Sequence, residues 1–152
     1  MGYHARVERT ATTTAKERLA LLTRVPLFAG IPQGTLLTIA ALAREVPHPA
    51  GHAIVNEGSV AHALHVVVSG TATVSVKGRP VDRLGPGDFF GEMAVIDRGV
   101  RSATVTADEP VVTLAVEGSS FRRLVESDGR LALRLLVALT ARIREFDKSL
   151  GD

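Results

Sequence analysis

The residues able to do chemistry gather between Gly85 and Ala107. Gly91 is followed by Glu92, and Arg101 is followed by Ser102 and Ala103. Gly85, Pro86, Gly87 and Asp88 are turn formers. Phe89 and Phe90 follow and are expected to be buried. Gly91 then opens a short apolar helix, Glu92 to Ile96, which Asp97, Arg98 and Gly99 end. The alternating run Arg101 to Ala107 predicts a strand. A helix that begins at a glycine presents free backbone N–H groups, here those around Glu92, Met93 and Ala94, and its dipole favours an anion there. Gly91 has no side chain to keep a ligand at a distance. Arg101 offers a planar fork of donors suited to a phosphate. Ser102 adds a hydroxyl and Ala103 an N–H. Glu92 would repel the anion, so it reads as an acceptor for sugar hydroxyls beside it. One carboxylate, one guanidinium and several amides together describe a site for a ribose joined to a phosphodiester.

The run Gly91-Glu92-Met93-Ala94, six residues, then Arg101-Ser102-Ala103-Thr104-Val105 resembles the phosphate-binding cassette of the cyclic nucleotide-binding domain family. That family includes bacterial catabolite activator proteins and the regulatory subunit of protein kinase A. Gly87-Asp88-Phe89-Phe90-Gly91-Glu92 fits its pattern as well. The resemblance implies that Glu92 holds a ribose 2′-hydroxyl and Arg101 a cyclic phosphate. The implied ligand is cAMP or cGMP, with no cofactor, no metal and no catalysis. Phe90 and Val81, the latter on the strand feeding the cassette, join the expected ligand-binding set. The resemblance spans Leu22 to Leu150 and departs from transcription factors of the family, because no helix-turn-helix follows the long helix before Asp152. No kinase or channel domain accompanies it. The expectation is a cytoplasmic sensor that acts on an unidentified effector protein rather than on DNA or a membrane. A regulatory fragment of a longer protein, or a degenerate domain that binds no nucleotide and serves as an interaction module, is the alternative from another class, and a cupin-like metalloenzyme is a third.

The elements that must position these residues follow the chain. Residues 1–14 are polar and threonine-rich and read as a flexible tail, leaving 15–152 as a single domain. Helices are expected over Ala15–Leu22 and Gln33–Arg44, split by Pro26 and Pro32. From 45 to 117 the period changes to two. Strands are expected at Ala53–Val55, Leu64–Ser69, Thr71–Lys77, Val81–Leu84, Arg101–Ala107 and Val111–Val116, with Pro47–Gly51 a turn. Short strands with glycine at the corners predict a mainly β fold with flanking helices, a jelly-roll barrel or double-stranded β-helix.

Residues 119–150 return to helix. From Arg130 to Leu150, residues Ala132, Leu136, Leu139, Ile143, Phe146 and Leu150 step by four and three, a heptad seam. Leu131 and Leu135 widen it. Such a helix can lie on the barrel, or cover the pocket and pair with a second copy as in the catabolite-activator branch, which implies a homodimer. The same branch places Arg142 to Asp147 near the purine. Phe146 would stack on the base, Arg142 lie over its face and Asp147 accept from its amino group.

Composition narrows the rest. The chain has 152 residues and a net charge of +2 from 18 basic and 16 acidic residues, too balanced for a nucleic-acid or membrane footprint. It has no cysteine, hence no disulfide or thiol chemistry. No segment is apolar over membrane-spanning length. Of the five histidines, His62 and His65 would point to opposite faces of a strand, and His48 and His52 straddle Pro49. They read as scattered structural or surface residues rather than a metal site.

Overall fold

The computed structural model describes residues 13–60, 62–91, 96 and 99–151, and of residues 142, 146 and 149–151 the backbone only. The cassette residues Glu92, Met93 and Ala94, and residues 1–12 of the tail expected over 1–14, lie outside the described residues.

Helix α1 (Ala15–Arg24) starts at Thr14, whose side chain accepts from the Glu17 N–H and caps it. Thr14 therefore belongs to the helix rather than to the tail. A 3-10 turn (Pro26–Phe28) and helix α2 (Gln33–Leu42) follow. Eight strands come next: β1 (Arg44–His48), β2 (Ala53–Val55), β3 (Ala63–Ser69), β4 (Ala72–Val76), β5 (Arg79–Leu84), β6 (Phe89–Phe90), β7 (Thr104–Ala107) and β8 (Val111–Glu117). Helices α3 (Gly118–Ser127) and α4 (Gly129–Gly151) close the chain. No helix among the described residues is long and apolar enough to cross a membrane.

The strands form two antiparallel four-stranded sheets, ordered β1-β8-β3-β6 and β2-β7-β4-β5. This is the jelly-roll arrangement that the strand spacing predicted. Two segments differ from the sequence reading. Helix α2 stops at Leu42, and Arg44–His48 is a strand rather than the end of a helix and the start of a turn. Pro47 is tolerated there because β1 is an edge strand, where a missing N–H breaks no ladder; Pro80 has the same dispensation on the edge strand β5. The strand expected from Arg101 begins only at Thr104, which leaves Arg101 in the connection before β7.

Alternation along β3 and β8 divides the core. Leu64, Val66, Leu114 and Val116 face the helices and pack with Leu22, Phe28, Ile39, Phe121, Leu131 and Leu135. The opposite face of the sheet looks into the barrel, where Val67, Val105, Ala107, Val111 and Phe90 meet. Helix α4 is anchored at its start. Asp128 Oδ1 accepts from the Arg130 N–H at 3.0 Å, Asp128 Oδ2 accepts from Thr35 on α2, and Arg134 Nη2 donates to the Pro26 carbonyl at 3.1 Å. The Nε of Arg134 is buried in the same junction.

The two readings of the α4 stripe separate in the structure. Leu131 and Leu135, beside the seam, are the residues that enter the core. The seam residues Leu136 and Ile143 are each 61% exposed, and Leu133 and Val137 extend the exposed apolar face.

Candidate functional site

Arg101 is positioned by its backbone and then by its head group. Its N–H donates to the Ser59 carbonyl and its carbonyl accepts from the Gly58 N–H, both at 2.8 Å, so the β2–β3 connection grips it from both sides. The adjoining Val60–Val100 bridge continues that grip. The side chain turns inward and is only 6% exposed. Nη2 donates to the Ala63 carbonyl at 2.7 Å. Nη1 is buried and has no hydrogen-bond partner among the described residues. Burial pushes the guanidinium below its ordinary pKa.

Gly91 lies directly beneath this head group. Its φ is +95°, a conformation that side chains disfavour. A Cβ at this position would overlap Arg101 Nη1 and come within 2.8 Å of the Ala63 carbonyl oxygen. Glycine is thus required twice over, by the backbone angle and by the close approach. A buried guanidinium edge with an unused donor is a costly thing to keep unless something anionic meets it. The donor set suits a phosphate oxygen: a planar cation held rigidly, beside a backbone with no side chain in the way.

Other expected site residues are placed less uniformly. Phe90, on β6, is buried beside Gly91. Ala103 is half-buried and Ser102 exposed. Val81 is 60% exposed on edge strand β5. Asp147 is exposed on α4, and the side chains of Arg142 and Phe146 lie outside the described residues.

The structure also assembles a cluster that the spacing of the histidines did not suggest. His48 on β1 sits opposite Val111 of β8, and His65 on β3 sits opposite Ala115, so both flank Thr113 diagonally on the barrel-facing side. His48 Nε2 and His65 Nδ1 lie 3.1 and 3.2 Å from Thr113 Oγ1. The His65 ring stacks on Phe90 with centroids 4.9 Å apart and planes within 8°. Burial above all, then the positive charge of Arg101, then His48 and Arg44, lower the pKa of His65 to about 3. Burial and His52 lower that of His48. Both rings are therefore neutral at ordinary pH. Only the β1-β8-β3 register brings these residues together, and no local spacing in the sequence carries that register.

Residues 45–128, more than half of the chain, match the model of the cyclic nucleotide-binding domain. A cyclic AMP receptor protein from Thermus thermophilus is 33% identical over 131 residues, which are 82% of this chain and 60% of that protein. A cyclic nucleotide-gated potassium channel from Rhizobium etli is 38% identical over 112 residues, 74% of this chain and 31% of the channel. The chain thus spans less than two thirds of either relative. Among solved structures, the Thermus thermophilus catabolite activator protein superposes with a TM-score of 0.75 at 31% identity, covering 83% of this chain and 62% of that one.

Proposed function

This chain belongs to the cyclic nucleotide-binding domain family, and on that premise we propose that it is a cytoplasmic sensor of cAMP, with cGMP as its second ligand, that signals by binding and not by catalysis. The observation that carries the proposal is Nη1 of Arg101, buried over Gly91 and without a hydrogen-bond partner among the described residues. In this reading the cyclic phosphate occupies that edge, and Glu92 accepts from the ribose 2′-hydroxyl. Phe90 lines the floor, Met93, Ala94, Ser102 and Ala103 complete the donors, and Val81, Arg142, Phe146 and Asp147 approach the base. The name of the Thermus relative supports cAMP as the first ligand to test.

Signalling requires two states whose balance the ligand shifts. Ile96, at the end of the cassette, packs against the helical core, and its carbonyl accepts from Arg122 of α3. A cassette drawn inward on the phosphate would move that contact, and α3 and α4 would repack. The exposed seam of Leu136 and Ile143 supports pairing of α4 with a second copy. The repacked surface or altered dimer would be what an effector protein reads.

Calorimetric titration with cAMP, cGMP and 5′-AMP tests the function. Both cyclic nucleotides should saturate one site per chain, and the open monoester should bind at least about tenfold more weakly, a difference of roughly 1.4 kcal/mol. Absence of binding by either cyclic nucleotide would leave an interaction module as the remaining reading.

A further inference from the structure

Among the described residues, those that are polar and buried, besides Arg101, are His48, Thr113 and His65, and hydrogen bonds join these three in one chain. Thr113 is fully buried, and its hydroxyl has one proton to give. Between two neutral rings it can donate to one nitrogen and accept from the other. The chain is then satisfied only with the two rings in matched tautomers, which fixes the orientation of both.

The far end of this chain is the anion site. His65 lies face to face with Phe90, and Phe90 is bonded to Gly91. Two residues before His65 on β3, the Ala63 carbonyl accepts a hydrogen bond from Arg101 Nη2. One strand therefore supports both partners of the close contact, Arg101 through the Ala63 carbonyl and Gly91 through the His65–Phe90 stack. The Thr113 bond holds the imidazole in place, so Phe90 packs on a face whose position and tilt are set by β3 and β8.

We propose, building on the cyclic nucleotide reading above, that His65 is a positioning residue of the anion site, held by Thr113 and His48 and holding Phe90 so that Gly91 stays beneath Arg101 Nη1. It touches no ligand atom in this role. Its contribution is to keep the phosphate seat preformed, so that little ordering is left for the ligand to accomplish.

The test uses two substitutions of Thr113 in the full chain, titrated with cAMP and with cGMP and melted without ligand. Thr113→Val keeps the shape and removes the hydroxyl, leaving two ring nitrogens against a methyl group. It should weaken binding about tenfold, the scale of one buried hydrogen bond seen through the site it orients. Thr113→Ser keeps the hydroxyl and should restore wild-type affinity. A purely structural Thr113 would lower the melting temperature in both variants without that split. Nitrogen-15 spectra of the wild-type histidines give a second measurement that needs no variant to fold: the His65 resonances should shift when cyclic nucleotide is added. Unchanged affinity in Thr113→Val, equal losses in both variants, or silent His65 resonances overturn the positioning role and leave the sensor reading standing. A wild-type chain that binds neither cyclic nucleotide overturns both.

Discussion

The guanidinium of Arg101 and the α-carbon of Gly91 are in such close contact that a methyl group on Gly91 would overlap Nη1. A residue with positive φ thus sits beneath a buried cation whose Nη1 has no hydrogen-bond partner among the described residues. Geometry of this kind turns a sequence motif into a seat for one anion.

Gly91→Ala should therefore do two things. The backbone at φ +95° becomes strained, costing about 1 kcal/mol or more of stability. The added carbon also displaces Arg101, and cyclic nucleotide affinity should fall by at least about tenfold, roughly 1.4 kcal/mol. Thermal melts and titrations read the two separately. Retained affinity with a lowered melting point would mean that the head group can move without loss, and that the close contact is incidental.

Glu92→Gln addresses the sugar. In the proposed reading its carboxylate accepts from the ribose 2′-hydroxyl, so the substitution should weaken the parent nucleotide more than its 2′-deoxy analogue. Equal losses for the two ligands would remove Glu92 from that role and leave the phosphate site untouched.

The buried imidazoles make stability depend on pH in a definite direction. His65 ionises at about 3 in the folded chain against 6.5 when unperturbed. Between those values the unfolded chain holds a proton that the folded chain does not. Unfolding then takes up a proton, and stability is complete above pH 6.5 and falls as the pH drops toward 3. The slope from this one group approaches about 1.4 kcal/mol per pH unit within the window. His48, lowered mainly by burial, adds to it with the same sign. Denaturant unfolding between pH 7.5 and 5, above most carboxylate titration, should show stability rising with pH, and His65→Phe should flatten the curve. An unaltered slope in His65→Phe would assign the proton uptake to other groups.

How much of this was legible in the sequence depends on how local each signal is. The pairing of Gly91 with Arg101 could be read because the two lie within one short segment, and the structure brings them into contact; Glu92 lies outside the described residues and Ser102 is exposed. The barrel could be read because strands alternate and glycines mark its corners. Strand β1 was obscured by Pro47, which normally argues against a strand and is admitted here only by the edge position. The role of Ala63 was invisible because a backbone carbonyl has no sequence signature. His48, Thr113 and His65 belong to three strands, and separations of 65 and 48 residues join them. On α4, periodicity found the apolar stripe but could not say which part of it faces the barrel; packing assigns Leu131 and Leu135 to the core and leaves Leu136 and Ile143 outside.

That division yields a prediction about assembly. Leu136→Glu combined with Ile143→Glu places charges on a largely exposed apolar face. The folded domain should keep its stability within about 0.5 kcal/mol, as surface substitutions do. Sedimentation should show a wild-type dimer and a monomeric double variant. A wild-type monomer at all concentrations would mean that the exposed seam does not pair with its copy.

The phosphate seat itself is tested most directly by titrating the wild-type chain and Arg101→Ala with cAMP and cGMP side by side. Removing the guanidinium leaves a buried phosphate without its counter-ion, so affinity should fall by roughly 3 kcal/mol, about a hundredfold. Wild-type affinity retained in Arg101→Ala would contradict the assignment of this residue, and with it the site.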